Sequence, residues 1–237
     1  MLIARGLGWL LALVLVGAFT LIVAPSLDST MEIVVVENWT AQRVNSQGVP
    51  ETWRTYETIG GHPVYDFTVV ELDVGRALRM RSSGDHSTIA KKVQIDLKTT
   101  PWLEWKWKVV ALPEGADIRR RETSDTAAHL FVVWPRWPAA LRTRLIGYVW
   151  DASLPIGSIQ PSQKSGAVTF IVVRSTRADL GRWLTERRNV REDFLKVYGE
   201  EPENPAVIAL SIDTNDTKSP SEAFIGSIRF RSAVSGP

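Results

Sequence analysis

The stretch WLEWKWKVV, residues 102–110, alternates apolar and polar side chains along its whole length. The apolar residues share one face of the alternation: Leu103, Trp105, Trp107 and Val109. The charged residues share the other face with Trp102. A period of two residues is typical of a β-strand that buries one face. The stretch therefore predicts a strand whose tryptophans at 105 and 107 belong to a hydrophobic core.

Strand-like segments continue on both sides of this stretch. Residues 66–73 and 76–82 predict a hairpin around Val74-Gly75, and residues 112–126 predict a polar loop. Further predicted strands cover residues 32–37, 51–59, 88–97, 128–134, 145–151, 167–174, 206–213 and 223–231. Several of these segments are continuous apolar runs, which are typical of inner strands in a stack of two sheets.

One short helix is predicted over about residues 189–198. Asn189 is a good N-cap, Glu192 follows it at the capping-box position, and Gly199 ends the segment. The apolar side chains repeat at helical spacing: Val190, Phe194, Val197 and Tyr198. A single helix among many strands predicts a mostly β fold, a jelly-roll-like β-sandwich.

The chain begins with an apolar segment, in which every residue from 6 to 24 is apolar, Gly or Thr. As a helix it would span ~28 Å, about the thickness of a bilayer's hydrocarbon core. We therefore expect an N-terminal transmembrane helix. A cleaved signal sequence, cut after Ala18 or Ala24, and a buried core helix remain as alternatives.

Charges around this segment predict its orientation. Arg5 precedes the segment, whereas the first Lys or Arg after it is Arg43. By the positive-inside rule the amino terminus is expected in the cytoplasm and the rest outside it, in the periplasm or the extracellular space. The expected organisation is a single-pass anchor at 1–25, a stalk at 26–31 and a β-sandwich domain at 32–237.

Composition argues against several function classes. The chain has no Cys and a formal net charge of +2, so neither thiolate chemistry nor nucleic-acid binding is expected. Nucleophile-elbow, P-loop and dinucleotide motifs do not occur. His129 is expected to be a structural histidine. We expect no enzyme. A hydrolase remains an alternative because the chain contains four candidate carboxylates: Asp66, Asp73, Asp125 and Asp151.

Exposed aromatic and basic side chains are the candidate contact residues. Tryptophan rings stack on sugars, and the candidates for ligand binding are Trp102, Trp134 and Trp137. Tryptophan and arginine also favour interfaces with proteins and with headgroups. The candidates for a partner or membrane contact lie in one proline-containing segment: Trp134, Arg136, Trp137, Arg142 and Arg144.

Residues 213–217, with the sequence DTNDT, form the densest cluster of oxygen ligands in the chain. Carboxylates and amides in a loop suit Ca²⁺, so Asp213, Asn215 and Asp216 are candidate ligands of a structural calcium ion. The alternative is an ordinary turn, in which these side chains bond their own backbone. No other cofactor is expected.

Together these segments resemble the uncharacterised bacterial family known as domain of unknown function three-zero-four-seven (DUF3047). The matching segments are residues 102–107, 124–128, 148–150, 189–194, 213–217 and 224–228. The resemblance implies an exported jelly roll similar to carbohydrate-binding modules, and no activity or catalytic residue. The family pattern has paired acids where this chain has Ser124-Asp125. If that pair binds a ligand in relatives, this chain is expected to have lost the site.

Three functions remain open at this point. The first is a non-catalytic, membrane-anchored, extracytoplasmic binding module with a glycan as its ligand. The second is a structural accessory subunit of a larger membrane protein complex on its periplasmic face. The third is a carboxylate-dependent hydrolase.

Overall fold

The computed structural model describes residues 31–56 and 63–233, except the side chains at 140 and 141. In this structure the alternating segment is the strand Trp102–Ala111. Leu103, Trp105, Trp107 and Val109 are all 0% exposed, while Lys106 lies exposed on the opposite face. The predicted strand and its buried face are therefore confirmed.

Six strands form the first sheet, all antiparallel to their neighbours. Numbered in chain order, they are β1 (Ile33–Glu37), β3 (Asp66–Leu72), β4 (Gly75–Ser82), β6 (Trp102–Ala111), β11 (Leu184–Asn189) and β13 (Ser221–Arg231). The order across the sheet is β11-β6-β13-β4-β3, and β1 pairs with the second half of β13. The predicted hairpin is β3–β4, and its turn is followed by Gly75 with a φ of 99°.

Seven strands form the second sheet, in the order β2-β5-β12-β7-β8-β10-β9. They are β2 (Arg54–Thr55), β5 (His86–Lys92), β7 (Thr126–Trp134), β8 (Arg144–Asp151), β9 (Ile159–Pro161), β10 (Val168–Ser175) and β12 (Val207–Asp213). The β8–β10 pair is parallel, and the other pairs are antiparallel. The predicted β-sandwich is confirmed.

The predicted helix is also confirmed, as α2 (Val190–Tyr198). The Asn189 side chain accepts a hydrogen bond from the Glu192 N–H, and Gly199 ends the helix with a φ of 71°. A four-residue helical turn, α1 (Ala139–Arg142), interrupts the loop between β7 and β8, and a 3-10 turn covers Arg121–Thr123.

Aromatic rings from both sheets meet in the core. Trp105 packs on Tyr148 with ring centroids 5.3 Å apart, and Trp107 packs on Trp150 at 5.8 Å. Trp105 and Trp107 also contact each other edge to face at 5.6 Å. Aromatic pairs of this geometry stabilise a core beyond the area that they bury.

Two carboxylates accept hydrogen bonds from two of the rings in this aromatic core. Glu186 accepts the Trp107 indole N–H at 3.0 Å and pairs with Arg174 at 2.6 Å. Asp193 of α2 accepts the Tyr148 hydroxyl at 2.8 Å, and burial raises the pKa of Tyr148 well above its ordinary value. The Trp107 and Tyr148 donors thus avoid the free-energy penalty of an unmade hydrogen bond, whereas the buried Trp105 indole N–H has no acceptor among the described residues.

Other segments differ from the prediction or lie outside the described residues. Of the expected strand over 51–59, only β2 is a strand among the described residues 51–56, and 57–59 lie outside the described residues. Strands β9 and β11 were not predicted. The predicted transmembrane segment, 6–24, lies outside the described residues, so the anchor and the expected domain boundaries remain predictions. Within the described part of the chain, no helix is long and apolar enough to cross a membrane.

Replacing Trp107 by Ala should lower the free energy of unfolding by about 3–5 kcal/mol, because it opens a cavity and removes a donor from Glu186. Urea denaturation of the full chain, followed by circular dichroism, measures the change. Val110→Ala is the matched control on the same strand, where the side chain is 41% exposed, and it should change stability by less than about 0.5 kcal/mol. Equal effects of the two variants would contradict the assigned strand faces.

Candidate functional site

Trp134 does not present its ring to a ligand. The residue is 1% exposed, its indole N–H donates to the Glu203 carbonyl at 2.8 Å, and its ring packs on Phe194 of α2. The expectation that Trp134 is exposed is therefore wrong, because the last residue of β7 lies on the same inner face as Val132.

The loop after β7 presents one large aromatic side chain to solvent. Trp137 is 84% exposed, and the exposed Arg142 donates to its carbonyl at 3.3 Å. The guanidinium groups of Arg136 and Arg144 instead lie over aromatic rings of α2, 5.9 and 4.9 Å from the ring centroids. Of the predicted contact residues, only Trp137 and Arg142 are thus available to a partner.

Two motifs of the family resemblance meet at one end of the seven-stranded sheet. Asp125 is 1% exposed. Its carboxylate accepts hydrogen bonds from the backbone N–H groups of Asp216 and Thr217 and from the Thr217 hydroxyl, at 3.1, 2.7 and 2.6 Å. Asp125 therefore holds the loop after β12 against the start of β7.

A lysine ammonium occupies the position predicted for a cation. Lys164 Nζ lies 2.5 Å from Asp216 Oδ2, 3.2 Å from Asn215 Oδ1 and 3.9 Å from Asp213 Oδ2. Within the described residues, no group of three His, Cys or acidic side chains could hold a metal ion. The chain itself supplies the positive charge that these oxygens attract, so the geometry does not support the predicted calcium site.

Burial changes two pKa values in this cluster, in opposite directions. It raises the pKa of Asp213 to about 7, against the effect of the nearby Lys164 ammonium. It lowers the pKa of His129 to about 3, and the imidazole stacks 5.1 Å from the Phe131 ring. Perturbed pKa values occur at functional sites and in structural clusters alike. The buried histidine and the paired aspartate indicate a structural cluster here.

The carboxylates considered for hydrolysis serve the backbone or lie at a turn. Asp151 accepts the N–H groups of Ser153 and Leu154, Asp125 holds the β12 loop, and Asp73 lies between β3 and β4. Asp125 interacts electrostatically with the Asp213 carboxylate, but its oxygens are bonded to the β12 loop, so these residues do not supply the pair of free acids that a glycosidase needs.

One open cleft of about 380 Å³ does bring carboxylates together: Asp66, Asp85 and Glu222. Each of them is held by a neighbour: Asp66 by Arg81 at 3.0 Å, Glu222 by Arg79 at 2.7 Å and Asp85 by the Ser82 hydroxyl at 2.8 Å. Because each carboxylate already has its partner, the cleft offers no pair that could act as acid and base on one substrate.

The outer face of the six-stranded sheet carries most of its charge as arginine and lysine, and we call it the basic face. Its cations come from β4, β6, β11 and β13: Arg79, Arg81, Lys106, Lys108, Arg187, Arg229 and Arg231. Its acids are fewer: Asp66, Glu104 and Glu222. Strand alternation produces this face, because the inward residues of the same strands form the core.

Aromatic rings lie among these cations. The Arg187 guanidinium lies 4.3 Å from the ring centroid of Trp102. Lys108 Nζ lies 4.3 Å from the Phe224 ring and 5.5 Å from the Trp183 ring. Trp102 and Trp183 are partly exposed. Of the three predicted ligand-binding tryptophans, Trp102 is thus the one on the outer face of a sheet, and Trp183 was not predicted.

Comparison with known proteins identifies a family and distant structural neighbours. The sequence model of the family described as "Protein of unknown function (DUF3047)" matches residues 51–229 and confirms the resemblance. No curated protein matches the chain.

Solved structures similar to this chain share little sequence with it. The K2 cleaved adhesin domain of Lys-gingipain is 11% identical over 84% of this chain and 99% of its own, with a TM-score of 0.42. A family 30 carbohydrate-binding module of a Clostridium thermocellum cellulase is 12% identical over 85% and 98%, with a TM-score of 0.41. TmCBM27, described as recognising mannan, is 12% identical over 86% and 99%, with a TM-score of 0.36. At these TM-scores no ligand is inferred from the neighbours.

Asp213→Asn should change how stability depends on pH. The folded carboxyl keeps its proton up to a pKa of about 7, whereas an ordinary aspartate loses it near 3.8. The contribution of Asp213 is therefore fully present below about pH 4 and is lost as the pH rises toward 7. Relative to the variant, the wild-type chain should lose up to about 4 kcal/mol across this window, because each pKa unit corresponds to about 1.4 kcal/mol.

Urea denaturation at several pH values measures that difference. Subtracting the variant cancels the contributions of titrating groups that do not interact with Asp213. A difference that stays constant between about pH 4 and pH 7 would contradict the raised pKa.

Proposed function

We propose that this chain, which belongs to the DUF3047 family of proteins of unknown function, is a non-catalytic binding module for a glycan. One observation carries the proposal: the basic face sets the partly exposed rings of Trp102 and Trp183 beside rows of hydrogen-bond donors. Ligand sites combine aromatic surface with a few placed polar groups, and sugar rings require both.

Paired carboxylates support the non-catalytic part of the proposal. In the cleft beside the basic face, Asp66 and Glu222 pair with arginines, and at the other sheet Asp125 is saturated by backbone donors. A hydrolase needs carboxylates that are free to exchange protons with the substrate or with water.

The location in this proposal comes from the sequence. The apolar segment at 6–24 and the charges around it favour a membrane anchor with the β-sandwich on the periplasmic or extracellular side. A tethered module of this kind would hold the membrane next to a glycan of the cell envelope.

Affinity electrophoresis of the full chain in gels that contain soluble polysaccharides tests the proposal. We expect at least one polysaccharide to retard the protein, and the double variant Trp102→Ala with Trp183→Ala to remove most of the retardation. Trp137→Ala is the matched control. It removes an exposed tryptophan from the loop between β7 and β8, which belong to the other sheet, and it should leave retardation unchanged. Migration that no polysaccharide alters would contradict the proposal.

A second candidate function is that of an accessory subunit of a membrane protein complex. The observation that favours it lies in the loop after β7. The Trp137 residue is 84% exposed there, and Arg142 donates a hydrogen bond to its carbonyl. Large aromatic and arginine side chains often anchor protein interfaces.

Extraction of native membranes in mild detergent tests this second candidate. It predicts that a membrane protein co-purifies with the chain and is lost from the variant Trp137→Ala with Arg142→Ala. A monodisperse monomer of the wild-type chain under these conditions would contradict it.

A further inference from the structure

We propose that the basic face recognises an acidic polysaccharide, through carboxylate groups spaced along the polymer. This inference rests on the glycan-binding function proposed above and adds the charge class of the ligand. The cations of the basic face outnumber the acids on the same face.

Part of the basic face is neutralised internally. Arg79 pairs with Glu222, and Arg81 pairs with Asp66. Glu104 holds Arg229 and lies 3.6 Å from Arg231. These pairs account for every acid on the face.

Three cations of the basic face remain without a carboxylate: Lys106, Lys108 and Arg187. No ion pair joins any of them to an acid within the described residues 31–56 and 63–233. Lys106 and Lys108 are two residues apart on one face of β6, so their Cα atoms lie about 6.7 Å apart. Arg187 lies on the neighbouring strand, opposite Glu104. Together they form a short row of positive charge that an anionic chain would complement.

Aromatic contacts hold two of these cations in place. The Arg187 guanidinium rests on Trp102 and the Lys108 ammonium on Phe224, each at 4.3 Å. Such contacts restrict long side chains before a ligand arrives, which reduces the entropy lost on binding. Arg187 is exposed, and a guanidinium can donate to a carboxylate through two parallel N–H groups.

The ring positions favour a polysaccharide over a lipid surface. Bilayer contacts use aromatic side chains that protrude into the headgroup region, whereas Trp102, Trp183 and Phe224 lie back against the sheet and its cations. Exposed Ile33 and Val35 do lie at the margin of this sheet, on β1. Anionic vesicles are therefore the competing ligand in the test.

The probe is polygalacturonate, a linear polymer of uronic acids, and its matched control is the same polymer with its carboxylates methyl-esterified. We expect the full chain to bind polygalacturonate in affinity electrophoresis and to bind the ester at least about tenfold more weakly. Raising the salt from about 0.05 M to about 0.5 M should weaken the binding, because salt screens exposed charges.

Charge-removing variants locate the site. The triple variant Lys106→Gln, Lys108→Gln and Arg187→Gln should lose at least about tenfold in affinity for polygalacturonate. Its control removes the same three charges from exposed positions elsewhere and should bind as the wild type does: Lys98→Gln, Arg120→Gln and Lys196→Gln. Circular dichroism of both variants checks that they are folded.

The remaining outcomes separate this inference from the proposed function. Equal binding of the acid and ester polymers, or binding of neutral polysaccharides only, would overturn the acidic specificity and leave glycan binding intact. Absence of binding to every polysaccharide would overturn both. Binding to phosphatidylglycerol vesicles without binding to polygalacturonate would also overturn the inference, and would identify the basic face as a lipid contact.

Discussion

The contact between the tryptophans of β6 and the aromatic residues of β8 is the interaction on which the rest of this structure depends. Trp105 and Trp107 meet Tyr148 and Trp150 with ring centroids less than 6 Å apart. Large rings fix the separation of the two sheets, and three of these four rings donate a hydrogen bond to a neighbouring acceptor. Glu186 on β11 provides one of these acceptors, so the edge strand is bonded to the aromatic core.

The same alternation that buries these rings also creates the candidate site. Every inward tryptophan of β6 places its neighbour on the outer face, which is how Lys106 and Lys108 come to stand side by side. Neighbouring strands add Arg187 and Phe224 in fixed register. A rigid core therefore presents a row of cations whose spacing the pleat of the sheet sets, and binding would need little rearrangement of the backbone.

Local patterns predicted most of the elements but few of the contacts between them. The period of two in β6 and the caps of α2 are encoded by adjacent residues, so both could be predicted. β11 carries the mixed sequence LTERRN, in which Glu186 points inward only because Trp107 and Arg174 satisfy it. Lys164 lies in a polar turn without a motif, and only the fold brings it to Asp216. The exposure of Trp134 was misjudged because its burial depends on Phe194 and the Glu203 carbonyl, which are distant in sequence and which only the fold brings to the end of β7.

Covalent labelling of lysine amines, measured by mass spectrometry on the full chain, tests the assignment of the basic face as the binding surface most directly. If the basic face binds the polymer, saturating polygalacturonate protects Lys106 and Lys108 from labelling, while the exposed Lys98 and Lys196 react as before. Unchanged labelling of Lys106 and Lys108 under conditions where the polymer is bound would contradict this assignment.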